Sequence, residues 1–206
     1  MAEDLAEYAD DDQSGKIRPQ KAIWDYREVL GSDDILLSDV GAHKMWIARH
    51  YHCSEPNTYL IPNGFCSMGF ALPGAIAASL VHPDRKVLGI AGDAGFLMNV
   101  QEMETATRLK SNIVMMVWED NEYGLIAWKQ TNEFGRHTDL AFGNPEWLGL
   151  AARFSWHGHY CSESADLKAT LETTLSEEGP SLVVISIDYR ENELLTKKLG
   201  EITAKL

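Results

Sequence analysis

The sequence predicts an α/β fold, a three-layer α/β/α arrangement around a mainly parallel central sheet. Its strand-like runs at 35–40, 86–91, 113–118 and 181–187 are largely apolar instead of alternating, as strands buried on both faces are. Between them lie stretches of helical period, and strands that alternate with helices indicate a parallel sheet covered on both sides. No internal repeat and no low-complexity linker breaks the pattern, so a single domain is expected.

Taken in order, the chain opens on an acidic lead, with Glu3, Asp4, Glu7, Asp10, Asp11 and Asp12 and no base before residue 13. Residues 1–16 are expected to be solvated and poorly ordered, with the folded domain over 17–195 and a tail over 196–206. A helix is predicted over 20–30, where Ile23, Trp24, Val29 and Leu30 can share one face. Gly31-Ser32-Asp33-Asp34 breaks it before the strand at 35–40. A helix over 43–50 and a short strand over 58–61 follow, then the turn Pro62-Asn63-Gly64. Residues 67–81 are rich in Gly and Ala, as in a helix packed closely on a neighbour, and His82-Pro83-Asp84-Arg85 ends that helix. The strand at 86–91 runs into Gly92-Asp93, and a helix over 100–109 leads to the strand at 113–118. A helix over 145–153 precedes a strand near 156–160. The helix over 164–178, with Ser164 as its expected cap, is followed by Gly179-Pro180 and the last strand.

Composition narrows the function classes. With 45% hydrophobic and 24% charged residues the chain reads as an ordinary globular protein. No apolar run approaches the roughly 20 residues that a membrane span requires, and no basic-then-apolar leader is seen. A net charge of −13 argues against a nucleic-acid surface. Cys53, Cys66 and Cys161 are scattered with no Cys-x-x-Cys pair, so neither a zinc knuckle nor a disulfide framework is suggested; a reducing, cytoplasmic setting is expected.

In a sheet of this class ligands bind beyond the carboxyl ends of the strands. Three such ends carry unusual chemistry: Asp39-Val40-Gly41-Ala42-His43, Gly92-Asp93-Ala94-Gly95, and Glu119-Asp120-Asn121-Glu122-Tyr123-Gly124. The first offers a glycine, free backbone amides and a histidine, suited to an anion. Each of the other two places a carboxylate directly after a buried strand, where desolvation is costly unless a cation compensates. Two carboxylates beside a phosphate-type loop describe a site for a divalent metal and a diphosphate, since magnesium favours hard oxygen ligands and shares them with phosphates. Ala94 and Gly95 are small enough to let backbone amides approach a phosphate. Singly, each element has an ordinary reading, Gly-Asp as a turn and His43 as a helix-start residue. No Gly-x-x-x-x-Gly-Lys or Gly-x-Gly-x-x-Gly run supports a P-loop or dinucleotide site.

Spacing tips the balance. Asp120 follows Asp93 by 27 positions, with one helix and one strand between them. This resembles the thiamine-diphosphate motif, in which Gly-Asp-Gly is followed, one helix and one strand later, by Asn-Asn or a variant. The intervening residues 100–109 are similar to the same stretch of acetolactate synthases. So are Gly41-Ala42-His43-Lys44-Met45-Trp46, the run from Gly64-Phe65-Cys66 through Ser67-Met68-Gly69 to Ala75, and Ile187-Asp188-Tyr189-Arg190-Glu191-Asn192. The likeness runs from about residue 19 to 195, and its segments fall in the family's order.

The resemblance implies the thiamine-diphosphate-binding fold, thiamine diphosphate and Mg2+ as cofactors, and carboligation of pyruvate, after decarboxylation, with a second 2-oxo acid. It implies that Asp93 and Asp120 ligate magnesium through their side chains and Glu122 through its main-chain carbonyl. Gly41, Ala42, His43, Gly92, Ala94 and Gly95 would contact the diphosphate region, with Tyr123, Gly124 and Leu125 also at the cofactor. Met68 matches the residue that props the cofactor into a bent shape, against a plain reading as core filling. The main-chain carbonyl of Cys66 would accept a hydrogen bond from the aminopyrimidine.

Ala94 replaces the family's third glycine. Asp120 stands where many relatives carry Asn, which resembles the catabolic, pyruvate-specific branch. Lys129 falls where the biosynthetic branch tends to have Trp and the catabolic branch Gln, and it reads equally as a solvated helix residue. In this family the glutamate that activates the cofactor's pyrimidine lies on a different domain. The chain is therefore expected to be a fragment or split subunit, inactive in isolation. Its expected partners are a pyrimidine-binding domain, of the same protein or a separate subunit, and further copies of itself in a homo-oligomer. Two other readings stay open, a subunit of another thiamine-diphosphate-dependent decarboxylase or lyase, and a non-catalytic module that keeps the fold.

Overall fold

Residues 5–11, 15–193 and 195 are described by the structure, a computed structural model. The expected tail at 196–206 and the first residues of the acidic lead lie outside them. Six strands, β1 (Ile35–Ser38), β2 (Tyr59–Leu60), β3 (Val87–Gly92), β4 (Val114–Glu119), β5 (His157–Cys161) and β6 (Ser181–Ser186), form one sheet. Their order is β2-β1-β3-β4-β6-β5, and every neighbouring pair is parallel.

Alternate side chains of these strands enter two separate cores, which sets the three layers. On one face Leu36, Leu88, Ile90, Val114, Met116, Trp118, Val183 and Ile185 pack against α1 (Pro19–Val29), α2 (Ala42–His50) and α8 (Leu167–Thr174). On the other, Leu37, Val87, Ala91, Met115, Val117, Leu182 and Val184 meet α3 (Ala71–Val81), α4 (Asp93–Met98), α5 (Glu102–Leu109) and α7 (Trp147–Arg153). Burial on both faces is why these runs look apolar throughout in the sequence. Helix α6 (Gly124–Phe134) follows β4 and buries only Ala127. Among the described residues no helix is long and apolar enough to cross a membrane.

Several expectations need correction. The helix predicted over 67–81 begins only at Ala71, because the preceding residues are drawn into a loop by the Asp39 carboxylate. Short helix α4, directly after β3, was not anticipated. Ser164 heads a 3-10 turn, Ser164–Asp166, and α8 starts after it with no side-chain cap, ending at Thr174. Part of the acidic lead expected to be solvated is packed instead. Leu5 is 4% exposed in the first core, the turn Ala6–Tyr8 follows it, and Arg18 lies 3.8 Å from Asp11 and over the Tyr8 ring.

Close approach between helix and sheet depends on small residues. A Cβ at Gly89 of β3 would run into the Met115 sulfur and lie 3.5 Å from Ala75 of α3. At Gly74 it would lie 2.9 Å from Leu37. Gly89→Val should therefore lower stability by about 1–3 kcal/mol through overpacking. Urea titration should show a lower midpoint with an unchanged slope; an unchanged midpoint would contradict the packing described.

Candidate functional site

Strands β1 and β3 are neighbours, yet the chain leaves them toward opposite faces, into α2 and α4. That reversal opens a crevice at their carboxyl ends. The residues after β4 and the start of α6 close its third side. The resulting cleft encloses about 560 Å³, part of it open to solvent. Gly41, Ala42 and His43 come from the β1 end, and Gly92, Asp93, Ala94 and Gly95 from the β3 end. Asp120, Glu122, Tyr123, Gly124 and Leu125 come from the β4 end, and Met68 from the loop before α3. Every site residue expected from the sequence except Cys66 lines this cleft.

Asp93 is 1% exposed and begins α4. Its Oδ1 accepts the Ala94 amide at 2.8 Å, and its Oδ2 accepts the Asn121 amide at 2.7 Å and the Asp120 amide at 3.3 Å. The two carboxylate-bearing loops are thus tied together through Asp93. Asn121 reaches this arrangement at a φ of 61°, a conformation Asn tolerates better than most residues. Burial, and then the Asp93 charge, push the Asp120 carboxyl up from 3.8 to about 7. Gly124 accommodates it, since a Cβ there would collide with Asp120 Oδ2. Among the described residues no Lys or Arg lines the cleft.

On the opposite wall His43 is 1% exposed, and burial drives its imidazole down to about 3, so the ring is neutral. The ring bonds the Asp39 main chain, while Nε2 is buried with no partner. A Cβ at Gly41 would lie 2.7 Å from that ring, which explains a glycine there. Beneath, Trp118 packs edge-on to His43 with centroids 6.1 Å apart and donates its indole N–H to Tyr26 Oη at 2.6 Å. Tyr189 packs on Trp118 at 6.1 Å and its hydroxyl meets the His43 main chain.

Asp39 is wholly buried and shapes the loop that carries Met68. Its Oδ1 accepts the amides of Val40 at 2.7 Å and Gly69 at 3.0 Å, and its Oδ2 that of Ala71 at 2.9 Å. Gly69 holds a φ of 85°, which favours glycine. Met68 belongs to neither core cluster and faces the cleft, which disfavours the core-filling reading. Cys66 lies outside the cleft lining, exposed at a φ of 51°, with the Lys44 ammonium donating to its sulfur at 3.2 Å. Lys129 is exposed and lines a separate groove along α6 with Met45 and Ile126.

Asp39, Trp118, Tyr189 and Asn144 are participants that sequence reasoning assigned no role. Asp39 and Tyr189 sit inside segments already singled out, so their position was the available signal. Trp118 reads as one more apolar residue of a buried strand, and Asn144 as part of a connector.

A sequence profile described as "Thiamine pyrophosphate enzyme, C-terminal TPP binding domain" matches residues 39–185, from the first strand end to the last strand. The chain belongs to this family. This C-terminal TPP binding domain is 34% identical over 195 residues to acetolactate synthase of Bacillus subtilis, an alignment covering 92% of the chain and 34% of that protein. It is 36% identical over 183 residues to the catabolic acetolactate synthase of Raoultella terrigena, covering 89% of the chain and 33% of the relative. The large subunit of acetolactate synthase isozyme 2 of Escherichia coli is 34% identical over 163 residues, 78% of the chain and 30% of the relative. The chain thus spans about a third of the length of these curated relatives.

The cleft of this TPP-binding domain fits a diphosphate held through a cation and does not suit a bare anion. With Asp93, Asp120 and Glu122 present and no base, a bare anion would be repelled. Among the described residues no group of three or more His, Cys, Asp or Glu side chains could hold a metal. Two carboxylates and main-chain oxygens leave most of an octahedral shell to phosphate and water, the usual way magnesium is bound. The small residues Ala94 and Gly95 would give a diphosphate room to approach the backbone.

Without a cation, Asp120 keeps its proton to higher pH in the folded chain than in the unfolded one. That proton favours the folded state at low pH, and the benefit is lost as pH rises from 3.8 through about 7. Asp120→Asn should therefore raise the metal-free Tm at pH 8 and leave it near wild type at pH 3.5, by about 2–4 °C for each kcal/mol relieved. Thermal unfolding followed by circular dichroism would test this; the same shift at both pH values would contradict it.

Proposed function

We propose that this chain carries the diphosphate- and magnesium-binding half of an acetolactate synthase-like active site. The observation that supports the reading is the convergence of buried Asp93 and half-buried Asp120 from adjacent loops, in a cleft with no Lys or Arg among its described lining residues. In this reading Asp93 and Asp120 hold Mg2+ through their side chains and Glu122 through its main-chain carbonyl. The Gly41-Ala42-His43 turn and Gly92, Ala94 and Gly95 flank the diphosphate. Met68 supports the bent cofactor from the opposite side, beside Tyr123, Gly124 and Leu125. The Cys66 carbonyl belongs to the aminopyrimidine end, away from the diphosphate cleft.

When bound, thiamine diphosphate supplies the electron sink for decarboxylating pyruvate and joining its remainder to a second 2-oxo acid. The chain's own residues bind and orient. Neutral His43 lines the wall without adding a fixed charge, its ring proton held by the Asp39 main chain, and Trp118 and Tyr189 wall one side with aromatic surface. A pyrimidine-binding domain, from the same longer protein or a separate subunit, completes the site, and the assembly is a homo-oligomer. The threefold greater length of the acetolactate synthases supports that requirement. A cytoplasmic setting suits three free cysteines.

Calorimetry tests the cofactor assignment. Magnesium alone and thiamine diphosphate alone should bind weakly to the purified chain, and the two together at least about tenfold more tightly, because each completes the other's ligands. Asp93→Ala or Asp120→Ala should abolish that synergy; undiminished synergy in both variants would remove these residues from the site. A pyruvate turnover assay on the chain alone should give no acetolactate. Robust turnover would overturn the need for a second domain.

A further inference from the structure

One side chain outside the cleft lining reaches the centre of the carboxylate arrangement. Asn144, in the loop before α7, points its Nδ2 at Asp93 Oδ2 at 2.8 Å, Asn121 Oδ1 at 3.1 Å and Glu119 Oε1 at 3.2 Å. Three oxygen acceptors around one amide nitrogen fix which end of the amide faces inward. Its other end, Oδ1, is buried with no partner among the described residues. Burying that oxygen without a partner costs stability, a cost set against the three bonds the Nδ2 end makes. The segment bearing it is stitched over the β4 loop, where Tyr123 donates to Leu140 O at 3.1 Å and Phe142 to Asn121 O at 3.0 Å. Glu119 in turn accepts the Trp147 indole N–H at 2.7 Å, which anchors the network to α7.

We propose that Asn144 is a positioning residue for the metal site, holding the Asp93 carboxylate in its ligating orientation. The inference rests on the Mg2+–diphosphate reading above. With the Asp120 and Asn121 amides and Asn144 all donating to Oδ2, that oxygen has no acceptor capacity left, whereas Oδ1 accepts only the Ala94 amide. Oδ1 is therefore the oxygen available to a cation. Without Asn144, Oδ2 keeps only the Asn121 amide at 2.7 Å and the longer Asp120 contact at 3.3 Å, so the carboxylate is held by fewer donors and is freer to turn. As a neutral donor between Asp93 and Glu119, Asn144 also separates two anions without adding a charge that would compete with the metal.

The test uses the 206-residue chain with Mn2+ as a spectroscopic stand-in for magnesium and saturating thiamine diphosphate. Asn144→Ala and the near-isosteric Asn144→Leu should each weaken Mn2+ binding by about 10–100-fold, the usual effect of removing a partner that orients a metal ligand. Their electron paramagnetic resonance spectra should also show altered zero-field splitting, which a mere loss of stability would not produce. Thr107→Val on α5, which removes a hydroxyl bonded to the Phe154 carbonyl after α7, should lower Tm and leave the Mn2+ spectrum unchanged. Wild-type affinity and an unaltered spectrum in folded Asn144→Leu would overturn the role of Asn144 alone. Failure of the wild-type chain to take up Mn2+ with thiamine diphosphate would overturn the metal-site reading, and this inference with it.

Discussion

Two aspartate carboxylates that repel one another across a buried cleft are the constraint around which this domain is arranged. Left alone, burial and mutual charge drive one of them, Asp120, to hold its proton up to about neutrality. The cleft is only partly open to solvent, and no Lys or Arg is among its described lining residues. The fold accepts that penalty because the surrounding backbone is committed to stabilising Asp93. Amides from both the β3 and β4 loops converge on it, so the two loops cannot separate without stranding a buried charge. Small residues then follow. Gly124 must lack a side chain to clear Asp120, and Gly95 lies against Asp39, with a built Cβ only 3.2 Å from its Oδ1.

Asp39 plays a parallel part on the other side of the crevice. It accepts the amides of Val40, Gly69 and Ala71 and lies at the end of β1, where it folds the Met68 loop back toward the cofactor cleft. Asp39 and Asp93 both organise backbone, but only Asp93 and Asp120 line the cleft. Residue type alone does not separate these roles. Asp39 is saturated by amides of its own loop and the next, whereas Asp120 faces another acid.

Much of this was legible in the sequence, for a physical reason. Strands buried on both faces leave uninterrupted apolar runs, and carboxylates at the ends of such runs are conspicuous because they are expensive. Asp93, Asp120 and the Gly41-Ala42-His43 turn were therefore visible, and the family resemblance supplied the cofactor. The start of α3 was misjudged because its decisive bonds come from Asp39, more than thirty positions away, against local helical composition. Helix α4 is only six residues and contains a glycine, too short for a periodic signal. Asn144 was missed because its partners lie 23 to 51 positions back in the chain, and nothing near it in sequence distinguishes it from an ordinary turn residue.

The strand order has a consequence for how the molecule is made. β6 is the last described strand in sequence but sits inside the sheet, between β4 and β5. Until residue 186 has left the ribosome, β4 lacks its outer neighbour and β5 has no strand to pair with. A nascent chain halted anywhere before that point presents an open, apolar sheet edge, the kind of surface on which chains aggregate or chaperones settle. The third side of the cleft, built from the residues that follow β4, depends on the same strand being flanked. Residue 186 must be made before this domain can begin to close.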